Sequence, residues 1–139
     1  MFLILLAGDK LSLSVNNFLK GVRNISDDIN IGFAVCNRVP VIYPPVNINK
    51  AKLPVYTFEN YTNITGALYD YIPMITAQTR IILFSDGHFK ETGFESIINR
   101  AFAVAVGDDY NYRNLLTFAK SKHRIFMPWD AAFLAGAIL

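Results

Sequence analysis

The hydrophobic positions of this chain fall into short unbroken runs, separated by segments in which apolar residues recur at a helical spacing. A continuous apolar run of this length is typical of a strand that is covered on both faces of a sheet. The predicted strands are Phe2–Leu6, Ile29–Cys36, Arg80–Phe84 and Ala101–Val106, with a short last strand at Arg124–Met127.

The segments between these runs carry apolar residues three or four positions apart, which predicts amphipathic helices. The first helix has its apolar face between Val15 and Ile25, and Ser12 or Ser14 is the predicted N-cap. Further helices are predicted at Thr62–Ile72, at Glu91–Asn99, from Asp108 or Asp109 as N-cap to Ala119, and after Asp130 as N-cap.

The segment Asn37–Glu59 interrupts this alternation, because its prolines exclude a helix interior and favour an edge strand or a hairpin. Strands that alternate with helices imply βαβ units and a mainly parallel sheet. We therefore expect one α/β domain over residues 1–139. Its fold class is a doubly wound, Rossmann-like sheet that is mostly parallel, with helices on both faces and one antiparallel edge strand.

Composition removes several classes of function. The chain has 139 residues, 53% of them hydrophobic, and a formal net charge of +2, so no electrostatic footprint for nucleic acid is expected. Neither a signal peptide nor a membrane-spanning segment is predicted, so no membrane partner is expected. The single cysteine, Cys36, cannot build a disulfide framework, which predicts a buried thiol and a cytoplasmic, reducing location.

Three groups of residues with side-chain oxygen atoms lie at places in the sequence where ligands bind in such folds. In open α/β sheets these positions lie beyond the carboxyl ends of the strands. The candidates are Asp9 with Ser12 and Ser14, then Thr62, and then Ser85 with Asp86. Carboxylate and hydroxyl oxygens are the ligands that hard cations prefer, so Mg²⁺ or Mn²⁺ would be the ion at such a site.

Other catalytic chemistry has weaker support in the sequence. His88 follows the same strand as Ser85, but no nucleophile-elbow pattern surrounds the serine. The stretch GDKLSLS at residues 8–14 has one glycine and no phosphate-binding pattern of the GxxxxGK[ST] type.

Three segments resemble von Willebrand factor A (VWA) domains, and especially the short bacterial type found in tellurite-resistance clusters. RIILFSDGHF is similar to the family's strand followed by Asp-Gly, and ENYTNITGAL to the segment with its metal-binding threonine. AFAVAVGDDYNYRNLLTFAKSKHRIF is similar to the strand, glycine turn, helix and strand that follow. The resemblance implies a metal-ion-dependent adhesion site (MIDAS) made of Asp-x-Ser-x-Ser, a threonine and an aspartate, and Thr62 and Asp86 match the last two.

The first part of the family's metal motif does not match. An alignment by the strand puts Ala7, Asp9 and Leu11 in place of Asp, Ser and Ser, whereas an alignment by Asp9 makes the motif one residue too long. Two hypotheses follow. Either Asp9, Ser12 or Ser14 still reaches a cation, or the site is degenerate and these residues only start a helix. Because Mg²⁺ demands near-ideal octahedral geometry, the residues favour the second hypothesis and no bound ion.

The resemblance implies a non-enzymatic module that binds another protein at the strand ends. We expect the partner to contact Ser85, His88, Tyr61, Asp108 and Tyr110. Tyr56 and Phe58 have two interpretations, as part of this surface or as core residues of an edge strand. The alternatives are a metal-dependent hydrolase or phosphoryl-transfer protein that uses Asp9 and Asp86, and a structural subunit that self-associates through the apolar segment Ala131–Leu139.

Overall fold

A computed structural model describes residues 1–91, 94 and 101–138. Six strands form one sheet in the order β3-β2-β1-β4-β5-β6, and every neighbouring pair is parallel except the antiparallel pair β2 and β3. The strands are β1 Phe2–Ala7, β2 Asn30–Val35, β3 Val41–Asn47, β4 Arg80–Ser85, β5 Ala101–Ala105 and β6 Ile125–Phe126. The predicted fold class, including the antiparallel edge strand, is therefore confirmed.

Helices cover both faces of this sheet. They are α1 Ser12–Ile25, α2 Ile64–Tyr71, α3 Tyr112–Ala119 and α4 Ala131–Ile138. Helices α1 and α4 pack on one face, with alternate residues of β1 such as Ile4 and Leu6. Helices α2 and α3 pack on the other face, where the intervening residues of β1 lie. All six residues of β1 are buried, which is why its sequence is a continuous apolar run rather than an alternating one.

The predicted starts of three helices need correction. Helix α1 begins at Ser12, and its N-cap residue Leu11 supplies no side-chain cap, so the prediction that Ser12 or Ser14 caps it is wrong. Leu11 is only 2% exposed, and its burial in the core holds the chain at this point instead of a serine hydroxyl. Helix α2 begins at Ile64 rather than Thr62, after the N-cap Asn63.

Helix α3 is likewise capped by Asn111 and not by Asp108 or Asp109. The Oδ1 atom of Asn111 accepts a hydrogen bond from the backbone N–H of Asn114 at 3.1 Å. Asp130 ends a short 3₁₀ turn, Pro128–Asp130, that leads directly into α4. The predicted helix Glu91–Asn99 falls outside the described residues apart from its first residue and Phe94, which is buried.

The terminal helix α4 is apolar over its whole length, and only one side of it is buried. Ala131, Leu134 and Ala135 are buried against the sheet and α1, and the absence of a side chain at Gly21 lets the two helices approach closely. On the outer side, Phe133 is 74% exposed. Among the described residues, no helix is both long enough and apolar enough to cross a membrane.

The edge strand β3 is attached to α2 through a buried tyrosine. The hydroxyl of Tyr71 donates a hydrogen bond of 2.7 Å to the carbonyl oxygen of Tyr43, just before Pro44 and Pro45. The register between β2 and β3 shifts at the same place, which is the kind of irregularity that prolines occupy in edge strands. Gly32 of β2 lies under the tyrosine ring, and a Cβ at this position would overlap the Tyr71 hydroxyl.

We expect Gly32→Ala to destabilise the protein more than Tyr71→Phe does. Removing the tyrosine hydroxyl should cost about 1 kcal/mol, the usual net value of one hydrogen bond. The alanine methyl must displace the ring of Tyr71, and overpacking of this kind costs roughly 1–3 kcal/mol. Urea unfolding at neutral pH measures both. Equal free energies of unfolding for Gly32→Ala and the wild type would contradict this account of the contact.

Candidate functional site

The chain reverses its direction of travel across the sheet between β1 and β4. These strands are neighbours, and their last paired residues are Ala7 and Ser85. From β1 the chain continues to β2 on one side, while β5 lies on the other side of β4. The carboxyl ends of these two strands therefore flank a topological switch point, where open α/β sheets bind ligands. We call this edge of the sheet, with the described residues of the segments after β1, β2, β4 and β5 and of the segment before α2, the strand-end surface.

The loop after β1 exposes its charged residues and buries its apolar one. Asp9 and Lys10 are exposed, and Lys10 has a positive φ of 55°, whereas Leu11 points into the core. Ser12 is exposed at the start of α1, but Ser14 is buried on the inner side of that helix. Of the two serines predicted to reach a cation, only Ser12 is therefore accessible from outside.

A tyrosine from a distant segment holds this loop in place. The Tyr56 hydroxyl donates a hydrogen bond of 3.0 Å to the carbonyl oxygen of Gly8. Burial, and next the negative charge of Asp9, raise the pKa of Tyr56 to about 12. An open groove of about 230 Å³ lies beside this contact and is lined by Asp9, Lys10, Leu11, Ser12, Leu53, Pro54, Val55 and Tyr56.

Polar groups of the loop after β4 bond to the loop itself. The Ser85 hydroxyl accepts from the backbone N–H of Gly87 at 3.0 Å, and Asp86 Oδ1 accepts from the N–H of His88 at 2.9 Å. Ser85 is only 1% exposed, so it is not placed to contact a partner as predicted. Asp86 is half-buried, and its carboxylate shapes this turn.

Helix α3, which follows the neighbouring strand β5, holds the same loop through hydrogen bonds. Asn114 Nδ2 donates to the carbonyl oxygens of Gly87 and Phe89 at 2.8 and 2.7 Å. Gly87 has a positive φ of 81°, and a Cβ there would overlap the Asn111 carbonyl oxygen, so the loop requires glycine. The His88 Nε2 atom lies 2.6 Å from the carbonyl oxygen of Asp109. Residues 86–89, directly after β4, are therefore bonded to the loop after β5 and to α3.

Thr62 reaches the strand-end surface through the residue that follows it. The Asn63 N–H donates to the carbonyl oxygen of Cys36 at 2.8 Å, and the N–H of Cys36 donates to Leu6 at the end of β1. Cys36 is fully buried as predicted, and burial, together with the nearby negative charge of Glu91, raises the pKa of its thiol. A buried neutral thiol of this kind is chemically inert.

Glu91, in the segment after β4, caps α2, a contact that the sequence does not reveal. Its two carboxylate oxygens accept from the backbone N–H groups of Ile64 and Thr65 at 2.9 and 2.8 Å. A carboxylate at a helix N-terminus satisfies free N–H groups and also interacts favourably with the helix dipole. The hydrophobic pattern predicts that Glu91 starts a helix of its own, and no nearby residue signals this long-range contact.

The loop after β2 adds three residues that sequence analysis did not single out. The Asn37 side chain binds the segment near Thr57, and Arg38 lies over the Tyr61 ring at 4.9 Å from its centroid. Val39 is 75% exposed. The rule that pointed to Asp9 and Asp86 also applied here, because these residues follow a buried strand directly.

The strand-end surface thus brings together most of the predicted site residues. Asp9, Ser12, Thr62 and Asp86 all lie at this edge, and so do the predicted contact residues His88, Tyr61, Asp108 and Tyr110. Tyr61 is 51% exposed, while Tyr110 is half-buried and packs on the α2 and α3 side. Among the described residues, no group of three or more His, Cys, Asp or Glu side chains could hold a metal ion.

The chain is similar to several solved VWA-type structures. It superposes on proximal thread matrix protein 1 (PTMP1) from the mussel byssus with a TM-score of 0.69 at 14% identity, covering 99% of this chain and 44% of that one. BatB from Bacteroides thetaiotaomicron gives 0.66 at 14% identity, with 99% and 95% covered. The ArnB paralog VWA2 from Sulfolobus acidocaldarius gives 0.61 at 14% identity, with 95% and 42% covered.

These likenesses show the VWA-type fold. The chain spans less than half the length of PTMP1 and VWA2. A further structure of PTMP1 has zinc in its MIDAS motif. No protein-family model matches the sequence, and a search of curated proteins finds no match.

We expect Asp86→Ala to destabilise the protein by about 1 kcal/mol, because the backbone N–H of His88 loses its acceptor. Asp86→Asn keeps a carbonyl oxygen at this position and is the matched control, which should stay close to the wild type. Urea unfolding without divalent ions measures both variants. An equal loss of stability in the two variants would show that the carboxylate charge, rather than this hydrogen bond, is what matters.

The raised pKa of Tyr56 predicts a specific loss of stability in alkaline solution. The unfolded protein ionises this tyrosine near pH 10, whereas the folded protein holds it neutral to about pH 12. The contribution of Tyr56 to the free energy of unfolding should therefore be constant below pH 10 and be lost as the pH rises from 10 through 12. Urea unfolding across this range compares the wild type with Tyr56→Phe, in which this component should be absent. Parallel pH profiles would contradict the prediction.

Proposed function

We propose that this protein is a non-enzymatic, protein-binding module of the VWA type, which binds its partner at the strand-end surface. The supporting observation is that polar and apolar side chains have different roles at that edge. Polar groups such as Ser85 and Asp86 bond to the protein's own backbone, whereas large apolar or aromatic side chains are exposed. Val39 is 75%, Val55 100% and Tyr61 51% exposed. Exposed aromatic residues are typical of interfaces.

We further propose that the metal site of the family is degenerate in this chain. The residues that align with the first part of the motif do not fit a cation, because Ala7 has no ligand atom and Leu11 is buried in the core. Asp86 Oδ1 already accepts a backbone hydrogen bond. The remaining oxygen groups are those of Asp9 and Ser12 in the segment after β1 and of Thr62 before α2, and their spacing departs from the motif of the family, whereas Mg²⁺ needs near-ideal octahedral geometry.

We also propose an adaptor role of the type found in tellurite-resistance clusters, which rests on the sequence resemblance described above, and a cytoplasmic location, which rests on the single, buried cysteine. No described residue favours the hydrolase or phosphoryl-transfer alternative, since the carboxylate of Asp86 is used in a turn. Self-association through Ala131–Leu139 is a second proposal. It is supported by the exposed, uncharged outer side of α4, where Phe133 is 74% exposed, and by the nearby Trp129 at 72%.

Photo-crosslinking tests where the partner binds. The photoreactive amino acid p-benzoylphenylalanine is placed at Val39 or Tyr61 on the strand-end surface, at Ile72 at the opposite end of α2, and at Phe133 on α4. We expect crosslinks to another protein from the first two positions, in cells that naturally contain this chain, and none from Ile72. Crosslinks only from Ile72, or none from Val39 and Tyr61, would contradict the proposed surface. A crosslinked dimer from Phe133 would support self-association.

We expect Mg²⁺ and Mn²⁺ to leave the melting temperature unchanged, because an ion stabilises a protein only if it binds the folded state. Thermal unfolding is measured without divalent ions and with each ion at about 100 times a millimolar dissociation constant. If a site existed, this concentration would add roughly 2.7 kcal/mol to the free energy of unfolding. A rise in melting temperature that disappears in both Asp9→Ala and Asp86→Ala would show that a cation site persists.

A further inference from the structure

The connection between β3 and α2, residues 48–63, is unusually long for a segment without regular secondary structure. Connections in compact domains are mostly shorter than about 12 residues, and longer ones are commonly functional. From Lys52 to Thr62 this segment makes no backbone–backbone hydrogen bond with any described residue. It is held instead by side chains, among them the Tyr56 hydroxyl on Gly8.

The central part of this segment has the pattern of a strand without being one. Val55, Thr57 and Glu59 are exposed, while Tyr56 and Phe58 between them are half-buried. Side chains that alternate in this way are typical of an extended chain. Of the two interpretations of Tyr56 and Phe58, the one that makes them residues of an edge strand is right about the spacing of side chains and wrong about the pairing, because the segment joins no sheet.

One edge of this extended segment is occupied by the amide of Asn37. Its Nδ2 atom donates to the carbonyl oxygen of Thr57 at 2.8 Å, and its Oδ1 atom accepts from the N–H of Glu59 at 3.0 Å. A residue in a neighbouring parallel strand makes the same pair of bonds, to a carbonyl oxygen and to the N–H two residues later. Asn37 thus stands in for a strand on this side.

The other edge has no such partner. In an extended chain the backbone groups of alternate residues face opposite edges, so those of Tyr56 and Phe58 face away from Asn37. No described residue forms a hydrogen bond with the backbone of either residue. A row of unpaired N–H and C=O groups is a template for pairing with another chain.

The groove of about 230 Å³ between this segment and the loop after β1 provides a place for a side chain. Leu11, Leu53 and Pro54 give it an apolar wall, and the oppositely charged Asp9 and Lys10 stand at its rim. Val55, whose side chain is fully exposed, also lines the groove. The site therefore combines backbone hydrogen bonding with one pocket for an apolar side chain and with no net charge at the rim.

We propose that the partner binds as an extended peptide segment that pairs with the free edge of residues 55–59 and places an apolar side chain in the groove. This inference rests on the proposed function and specifies the form of its ligand. Main-chain hydrogen bonds supply affinity in this mode of recognition, and the pocket supplies specificity. The ligand is a strand-forming peptide with an uncharged apolar anchor, rather than a folded acidic surface.

Peptide selection tests the proposal directly. A library of random linear peptides of about ten residues, long enough for one strand, is displayed on phage and selected on the full chain. The best peptide is synthesised, together with copies that carry one backbone N-methyl group at each successive position. We expect N-methylation to weaken binding at every second position only, by about tenfold, because alternate N–H groups pair in a strand.

Protein variants provide the matched controls. Val55→Asp should weaken binding of the same peptide by about tenfold, since it places a charge against the apolar anchor. Because Val55 is fully exposed, the melting temperature of the Val55→Asp variant should equal that of the wild type. Ile72→Asp, at another exposed apolar residue distant from the groove, should bind as the wild type does. In amide hydrogen exchange, the N–H groups of Tyr56 and Phe58 should be slowed by the peptide.

Three results would overturn the proposal: no peptide is selected, N-methylation has no alternating effect, or Val55→Asp binds normally. If one of these is found while crosslinks from Val39 and Tyr61 persist, the partner uses the strand-end surface in another way and the proposed function stands. If those crosslinks are also absent, the proposed function fails as well.

Discussion

Burial of the central sheet on both faces is the constraint on which the rest of this structure depends. Every residue of β1 and nearly every residue of β4 is buried, so these strands consist almost entirely of apolar side chains. Fully burying one Leu or Ile contributes roughly 1.5–3 kcal/mol relative to leaving it exposed. A strand committed to this purpose cannot carry functional groups along its length. Such groups are confined to the loops beyond its ends, and β1 and β4 bring two of these loops together.

The loops at that edge are organised by side-chain amides. An Asn side chain can donate and accept at once, so it can replace backbone partners where the sheet has ended. Asn37 holds the segment at Thr57, Asn63 and Asn111 cap helices, and Asn114 binds two carbonyl oxygens of the loop after β4. Loops fixed in this way present the same residues to solvent.

The strands and the fold class could be predicted because both follow from local hydrophobic pattern. Helix starts were harder, because several residues compete for the cap. Ser12 has good cap chemistry, but the burial of Leu11 decides where α1 begins. Asn111 rather than Asp108 or Asp109 caps α3, because its backbone N–H is bonded to the Asp86 carbonyl oxygen and fixes it at this position.

The site itself was only partly predictable. The strand-end rule placed Asp9, Thr62 and Asp86 at this edge of the sheet from sequence, since position relative to an apolar run is a local property. It could not show that Glu91 caps α2 or that Asn37 binds Thr57, because these contacts join residues far apart in the chain. An oxygen atom that the sequence offers to a ligand can already be used by a backbone N–H group, as in Asp86.

Pro44 and Pro45 in the edge strand β3 have a consequence for the behaviour of the protein at high concentration. Neither residue has an N–H group, so the edge strand lacks two donors near its centre, and in an extended strand consecutive donors face opposite sides. A second sheet would meet a gap in the hydrogen-bonded ladder at this point, which disfavours edge-to-edge pairing along β3. On this side of the molecule, the proposed peptide site in the loops would therefore lie beside a sheet edge that is a poor template for pairing with copies of the same chain.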